Sequence, residues 1–156
     1  MAELKKRLIL IEDEAPLREY FTEMFQNEGY EVEAHNSVGF VMHNCGFSGL
    51  DMLDPKHGNP KAFPDVVVTD NSTISAETGC DLLRAFKGKG VGLVLMSSNY
   101  FGNEDVKKMG GDIAEYVQKS QPGWTEKLSK ATKRSLESAQ LEKLGFKQKE
   151  DGRSQG

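Results

Sequence analysis

The sequence predicts an α/β fold in which helices cover both faces of a doubly wound, five-stranded parallel sheet. Three observations lead to this prediction. Apolar runs and amphipathic segments alternate five times along the 156 residues, the runs are continuously apolar, and most of them stop abruptly at a polar residue. Continuous apolar runs are typical of strands that helices cover on both faces. Strands that alternate with helices favour a parallel sheet.

The start of the chain contains two predicted strands with a helix between them. The first strand (β1) is the apolar run at 8–11. A helix (α1) follows it, because Pro16 suits a first helical turn and apolar residues recur at helical spacing as far as Phe25. Gly29 ends this helix. Weak alternation predicts the second strand (β2) at 30–34.

The segment at 36–63 is less regular than the rest of the chain. Four glycines and two prolines interrupt any long periodicity there. We predict a short helix (α2) near 38–43, followed by an exposed loop. The segment as a whole is interpreted as an atypical insertion.

Two buried strands follow this insertion. The third strand (β3) is the run at 65–69, which Asp70 closes. A helix (α3) with a buried face ends near Gly88. The fourth strand (β4) covers 93–96 and is closed by Ser97.

The last part of the chain predicts two helices around one strand. Asn103 caps a helix (α4) whose first turn carries two acids, as the helix dipole favours. The fifth strand (β5) is predicted at 113–117, and the last helix (α5) at about 125–144. We therefore predict one domain at 1–145 and a polar, disordered tail at 146–156.

Composition and charge argue against several classes of protein. The chain is 37% hydrophobic and 28% charged, as an ordinary globular domain is. Its net charge of −4 does not favour nucleic acid or an anionic membrane surface. The run at 8–11 is too short for a signal peptide or a transmembrane helix. We expect a cytoplasmic protein that binds neither nucleic acid nor membrane.

Polar side chains at four predicted strand ends form a candidate site. Glu12 and Asp13 follow β1, Asp70 closes β3, Ser97 closes β4, and Lys119 follows β5. The carboxyl ends of parallel strands meet at one edge of the sheet, so these groups are expected to converge. Carboxylate oxygens are the ligands that Mg²⁺ prefers. An aspartate beside Mg²⁺ is also a competent nucleophile towards phosphorus.

Five short motifs at predicted strand ends and helix starts point to a known family. They are Ile11-Glu12-Asp13-Glu14, the run from Pro64 to Asp70, Gly79, the run from Val94 to Ser98, and the run from Tyr116 to Lys119. With this set the chain resembles a response-regulator receiver domain of two-component signalling, of the single-domain chemotaxis-regulator type. The resemblance covers 8–144. It implies a flavodoxin-like sheet with strand order 2-1-3-4-5.

The resemblance implies roles for the acids. Asp70 would be the phosphoacceptor. Mg²⁺ would be the cofactor, bound directly by Asp13 and Asp70 and mainly through water by Glu12. The backbone carbonyl of Ser72 would supply a further metal ligand.

The resemblance also implies roles for the remaining site residues and for partners. Ser97 and Lys119 would hold phosphoryl oxygens, and Ser97 and Tyr116 would form the switch. A sensor histidine kinase or histidine phosphotransfer protein would supply the phosphoryl group, and an output partner would bind the α4-β5-α5 face. Such a stand-alone receiver catalyses its own phosphotransfer and dephosphorylation and is not a dedicated enzyme.

Two departures from the family pattern lie beside the phosphoacceptor. The loop at 71–78 lacks the usual Met-Pro, and Gly79 lies one residue later than the family pattern expects. Ser120 replaces the usual proline after Lys119, and a cis bond before serine costs about 2.5–4 kcal/mol, so we expect a trans bond and a differently shaped loop.

Two other functions compete with a phosphorylated receiver. A pseudo-receiver would share the fold and bind partners without phosphorylation, and the altered loops favour it. A flavin enzyme of the same fold would need a loop after β1 that cradles phosphate. The acids Glu12, Asp13 and Glu14 in that loop argue against it, because they repel phosphate in the absence of a cation.

Overall fold

The structure is a computed structural model that describes residues 5–44, 64–72, 76–99 and 102–153. Strands and helices alternate along these residues. In chain order they are β1 (Arg7–Ile11), α1 (Ala15–Asn27), β2 (Glu31–His35), α2 (Val38–Asn44), β3 (Val66–Asp70), α3 (Gly79–Phe86), β4 (Gly92–Ser97), α4 (Asn103–Gly110), β5 (Ala114–Gln118) and α5 (Trp124–Arg153). The predicted order of elements is confirmed.

The five strands form one parallel sheet with the order β2-β1-β3-β4-β5. This arrangement confirms the predicted fold class and strand order. β1 and β3 are neighbours in register, with Ile11 opposite Thr69. The residues that follow these two positions, Glu12 and Asp70, therefore leave the sheet side by side.

Alternate residues of the inner strands build two hydrophobic layers. In β1, Leu8 and Leu10 contribute to the layer that contains residues of α1 and α5, including Phe21. Ile9 and Ile11 contribute to the opposite layer, with residues of α2, α3 and α4. The inner strands are therefore buried on both faces, which explains why their sequences are continuously apolar.

Helix α5 is anchored at the amino edge of the sheet, where the parallel strands begin. The buried hydroxyl of Ser135 accepts a hydrogen bond from the Leu93 amide at 2.7 Å and donates one to the Ile113 carbonyl at 2.6 Å. The helix backbone lies close to β4 here. A Cβ atom placed on Gly92 would lie only 3.0 Å from the amide nitrogen of Leu136.

Two predicted helix ends are wrong. Gly102 is the N-cap residue of α4, and Asn103, which was expected to cap this helix, is its first residue. Helix α5 continues to Arg153 instead of ending near 144, so the backbone at 146–153 is helical where a disordered tail was expected. The polar residues in this stretch include two lysines, a glutamine, a glutamate and an arginine, which are good helix formers, and they outweigh Gly145 and Gly152. The division into a domain at 1–145 and a tail stays a prediction.

Two other expectations concern the insertion and membranes. Helix α2 lies where the sequence predicted it, and the rest of the insertion, at 45–63, falls outside the described residues. Within the part of the chain that the structure describes, no helix combines the length and apolarity needed to cross a membrane.

Candidate functional site

Three carboxylates meet at the carboxyl edge of the sheet, where the parallel strands end. Glu12 and Asp13 directly follow β1, and Asp70 is the last residue of β3. Each offers a carboxylate oxygen, and these oxygens all lie within 4.8 Å of one another. The structure thus brings together the three acids that the sequence singled out, and it does so because β1 and β3 are adjacent.

Lys119 reaches this acid cluster from the end of β5. Its Nζ donates a hydrogen bond to Glu12 Oε2 at 2.7 Å and lies 3.3 Å from Asp70 Oδ2. The Lys119 amide also donates to the Ser97 carbonyl at 2.9 Å, which fixes the backbone at the base of this side chain. One cation therefore contacts the acids of two different strands.

The three acids differ in their exposure to solvent. Glu12 is fully buried, Asp70 is 7% exposed, and Asp13 is exposed. Both carboxylate oxygens of Glu12 are occupied, because Oε2 accepts from Lys119 and Oε1 accepts from the Glu14 amide at 3.3 Å. Asp13 and Asp70 therefore have more capacity for direct metal contacts than Glu12 has.

Burial and mutual repulsion set the protonation of the cluster. Burial raises the pKa of Glu12 and of Asp70, and neighbouring acids add to the effect, while Lys119 opposes it. The pKa of Lys119 is also raised: burial lowers it, but the bonds and charges of Glu12 and Asp70 together outweigh burial. Three carboxylates thus share one ammonium group, and the cluster has an excess of negative charge.

This donor set fits Mg²⁺. The ion binds carboxylate oxygens and retains several waters, so it suits a partly exposed group of acids. Three carboxylates and one lysine leave an excess charge of two negatives, which a divalent cation neutralises. Asp13 and Asp70 would hold the ion, with Glu12 behind them.

Ser97 is the last residue of β4, and Tyr116 lies in the middle of the neighbouring strand β5. Ser97 is buried, and its hydroxyl accepts a hydrogen bond from the Asn99 amide at 3.0 Å. The half-buried Tyr116 donates its phenolic hydrogen to the Asn99 carbonyl, and its oxygen lies 3.5 Å from the Ser97 carbonyl. Tyr116 therefore contacts the loop that follows Ser97.

The loop after Asp70 is closed by Asn71. The Asn71 carbonyl accepts from the Gly79 amide at 2.9 Å, and its side-chain oxygen accepts from the Cys80 amide at 3.3 Å. Gly79 lies so close that a Cβ atom there would be 2.7 Å from the Asp70 carbonyl oxygen. Ser72 is exposed, and 73–75 fall outside the described residues.

The peptide bond between Lys119 and Ser120 is trans, as are all others within the described ranges. This agrees with the expectation from Ser120.

Two residues that the sequence did not single out contact the site loops. They are Asn71 and Arg18, whose guanidinium contacts the loop between β1 and α1. Arg18 is a cation in the first turn after a pair of acids, which is a signal that could have identified it. Nothing comparable marks Asn71, whose contacts depend on the path of the loop.

Solved structures of other proteins share this fold. No family model matches the chain, and neither does any curated protein. Among solved structures, a response regulator receiver protein from Sinorhizobium medicae WSM419 is similar over 86% of this chain and 97% of its own, with a TM-score of 0.65 and 18% identity. This chain has the receiver fold.

Further solved structures share the receiver fold. The non-phosphorylated HemR receiver domain from Leptospira biflexa has a TM-score of 0.62 at 20% identity, over 85% of this chain and 94% of its own. The response regulator TrrA from Thermotoga maritima, in complex with Mg²⁺-BeF, has a TM-score of 0.56 at 24% identity, over 81% and 98%. At such identities the likeness establishes the receiver fold, and the chemistry rests on the site residues themselves.

Proposed function

We propose that this chain is a phosphoacceptor receiver. A carboxylate oxygen of Asp70 attacks the phosphorus of a phosphohistidine on a sensor histidine kinase or phosphotransfer protein. The new O–P bond forms as the P–N bond breaks, and the imidazole leaves with its electron pair. The observation that supports this proposal best is the contact of Lys119 with both Glu12 and Asp70, beside Asp13, in a receiver fold.

Each residue of the site has a part in this transfer. Bound Mg²⁺ supplies positive charge that screens the acids from the incoming phosphoryl group. Lys119 Nζ, 3.3 Å from the nucleophile, is placed to bind one phosphoryl oxygen. The Ser97 hydroxyl already accepts from the Asn99 amide, so its hydrogen is available to donate to another.

The chain performs this chemistry only on itself. It takes one phosphoryl group per molecule and releases it by its own slow hydrolysis, so it is not a dedicated enzyme. A phosphoryl group that draws the Ser97 hydroxyl towards Asp70 would weaken the hydrogen bond between this hydroxyl and the Asn99 amide in the loop after β4. Tyr116 is hydrogen-bonded to that loop, so the change would reach the α4-β5-α5 face and favour a second arrangement of this face, which the phosphoryl group stabilises.

The α4-β5-α5 face offers a groove for the output partner. Its volume is about 230 Å³, and Tyr116 lines it together with Lys127, Lys130 and Arg134 of α5. Arg134 is already paired with Glu115 at 2.6 Å, so Lys127 and Lys130 give the groove its positive charge, although the whole chain carries a net charge of −4. Charge complementarity therefore favours a protein partner with an acidic segment.

The decisive experiment is phosphorylation with a small phosphodonor such as acetyl phosphate. The wild-type chain should form an alkali-labile acyl phosphate only when Mg²⁺ is present, and Asp70→Asn should form none. Asp112→Asn, which removes an exposed acid outside the site, is the matched control and should be labelled like the wild type. Absence of any Mg²⁺-dependent label on the wild type would reject the proposal.

A pseudo-receiver is the second candidate, and one observation favours it. The buried Glu12–Lys119 ion pair at 2.7 Å satisfies both charges in part without a metal. The fluorescence of Trp124, which packs against Phe21 of α1, separates the two candidates. A phosphorylatable receiver should change this fluorescence on addition of Mg²⁺ and beryllofluoride. In a pseudo-receiver neither addition should alter it.

A further inference from the structure

Arg18 holds the loop that carries two of the three acids. It lies in the first turn of α1 and is half-buried. Its Nη1 donates a hydrogen bond to the Glu12 carbonyl at 2.9 Å and lies 3.5 Å from the Asp13 carbonyl. Its own amide donates to the Glu14 carbonyl at 2.9 Å. Arg18 is thus bonded to the loop through both its backbone and its side chain.

The two carbonyls that the guanidinium contacts belong to the two peptide units on either side of the Asp13 Cα atom. Each peptide unit is planar, so fixing both planes fixes the backbone dihedral angles of Asp13. Those angles set the direction of the bond from Cα to Cβ and hence the position of the carboxylate. Asp13 is exposed, so burial does not hold it in place as it holds Glu12.

We propose that Arg18 is a positioning residue that aims the Asp13 carboxylate at the metal position. This inference rests on the proposed function, because it assumes that the acid cluster binds Mg²⁺. Arg18 acts through the backbone of Asp13 and does not itself contact the ion. Its role is that of an outer-shell partner, which orients a metal ligand and thereby strengthens metal binding.

The charge of Arg18 has the opposite effect on metal binding. A guanidinium near a divalent cation repels it, so removal of the charge alone would tighten Mg²⁺ binding. Removal of the hydrogen bonds would loosen it. The sign of the change in affinity therefore shows whether positioning or charge is the dominant effect of Arg18.

The test is calorimetric titration of the purified full chain with MgCl₂, in the wild type and in Arg18→Met, Arg18→Lys and Arg84→Met. Methionine keeps most of the apolar length and removes both donors and charge. We expect Arg18→Met to raise the Kd for Mg²⁺ about tenfold. Arg18→Lys keeps the charge and one donor group and should recover part of this loss. Arg84→Met removes an exposed arginine of α3 and should bind like the wild type.

Urea unfolding without metal shows which variants are folded and separates a lost fold from a lost ligand position. If Arg18→Met does not fold, Arg18→Lys decides the question, and weaker Mg²⁺ binding than in the wild type supports the inference. Wild-type or tighter affinity in the folded Arg18 variants overturns it while the proposed function stands. A wild-type chain that binds no Mg²⁺ overturns the proposed function and this inference together.

Discussion

The two edges of the sheet satisfy their polar groups in opposite ways. At the amino edge, the hydroxyl of Ser135 satisfies the Leu93 amide of β4 and the Ile113 carbonyl just before β5, and these three groups are neutral. The Asp65 carboxylate also lies at this edge, where it accepts a hydrogen bond from the Arg7 amide at 2.8 Å. At the carboxyl edge, three carboxylates meet, Lys119 contacts Glu12 and Asp70, and burial raises the pKa of these two acids. The amino edge is complete without a ligand, whereas the carboxyl edge keeps an excess of negative charge.

The amino edge therefore contributes to the stability of the fold, whereas the carboxyl edge carries the groups that would bind a metal ion. Neutral, satisfied hydrogen bonds stabilise the folded state. Buried carboxylates with raised pKa values destabilise it at neutral pH, and they are the groups that metal binding requires. Substitutions at the two edges should therefore change stability in opposite directions.

The largest expected effect is the stabilisation of the carboxyl edge by Mg²⁺. An ion that binds only the folded chain should raise the free energy of unfolding by about 2.7 kcal/mol at a concentration one hundred times its Kd. Thermal unfolding with increasing MgCl₂ measures this effect. Asp13→Asn should reduce the shift strongly, and an equal shift in that variant would mean that the ion binds elsewhere.

The next largest effect is expected at the amino edge. Ser135→Ala removes the hydroxyl that bonds to the Leu93 amide and the Ile113 carbonyl. Among the described residues, no other side chain bonds to these two groups. We expect a loss of about 2 kcal/mol in the free energy of unfolding, measured in urea. Phosphorylation of Asp70 should persist in the folded variant.

Ser138→Ala, a half-buried serine of the same helix, is the control for Ser135→Ala. Equal stability of these two variants would show that the Ser135 hydroxyl adds nothing to the amino edge.

The smallest effect is a gain in stability in Asp70→Asn, which should depend on pH. Because the pKa of Asp70 is raised on folding, the folded chain keeps its proton where the unfolded chain has lost it. The stability that this proton provides is complete below the ordinary pKa near 4 and is lost as the pH rises through the folded value. Without metal, the free energy of unfolding of Asp70→Asn should therefore equal that of the wild type at acid pH and exceed it by about 1 kcal/mol at pH 7.

Urea unfolding of both proteins across this pH range measures the difference. A variant that is less stable than the wild type at pH 7 would show that the bond from Lys119 outweighs the burial of Asp70.

The sheet and the acids at its carboxyl edge could be predicted from the sequence alone. The strands are buried on both faces, so their apolar runs end where the strands end, and Glu12 and Asp70 mark two such ends. Parallel topology then places those ends together without any knowledge of distances.

The supporting contacts could not be predicted in the same way. The bonds of Arg18 and Asn71 depend on where backbone carbonyls and amides point, and residue type alone does not encode this. The end of α5 was missed because a polar composition suits both a solvated helix and a disordered tail. The structure extends that helix to Arg153.

The contact between Gly79 and the Asp70 carbonyl has a consequence for mutational tolerance. Any side chain at position 79 would collide with the backbone of the proposed nucleophile, although the residue itself takes no part in the chemistry. In a library of random variants selected for phosphotransfer, position 79 should accept almost no change. Loss of activity in a variant at this position would result from displacement of Asp70. Mutagenesis would then show that these two residues, nine positions apart in the chain, are coupled.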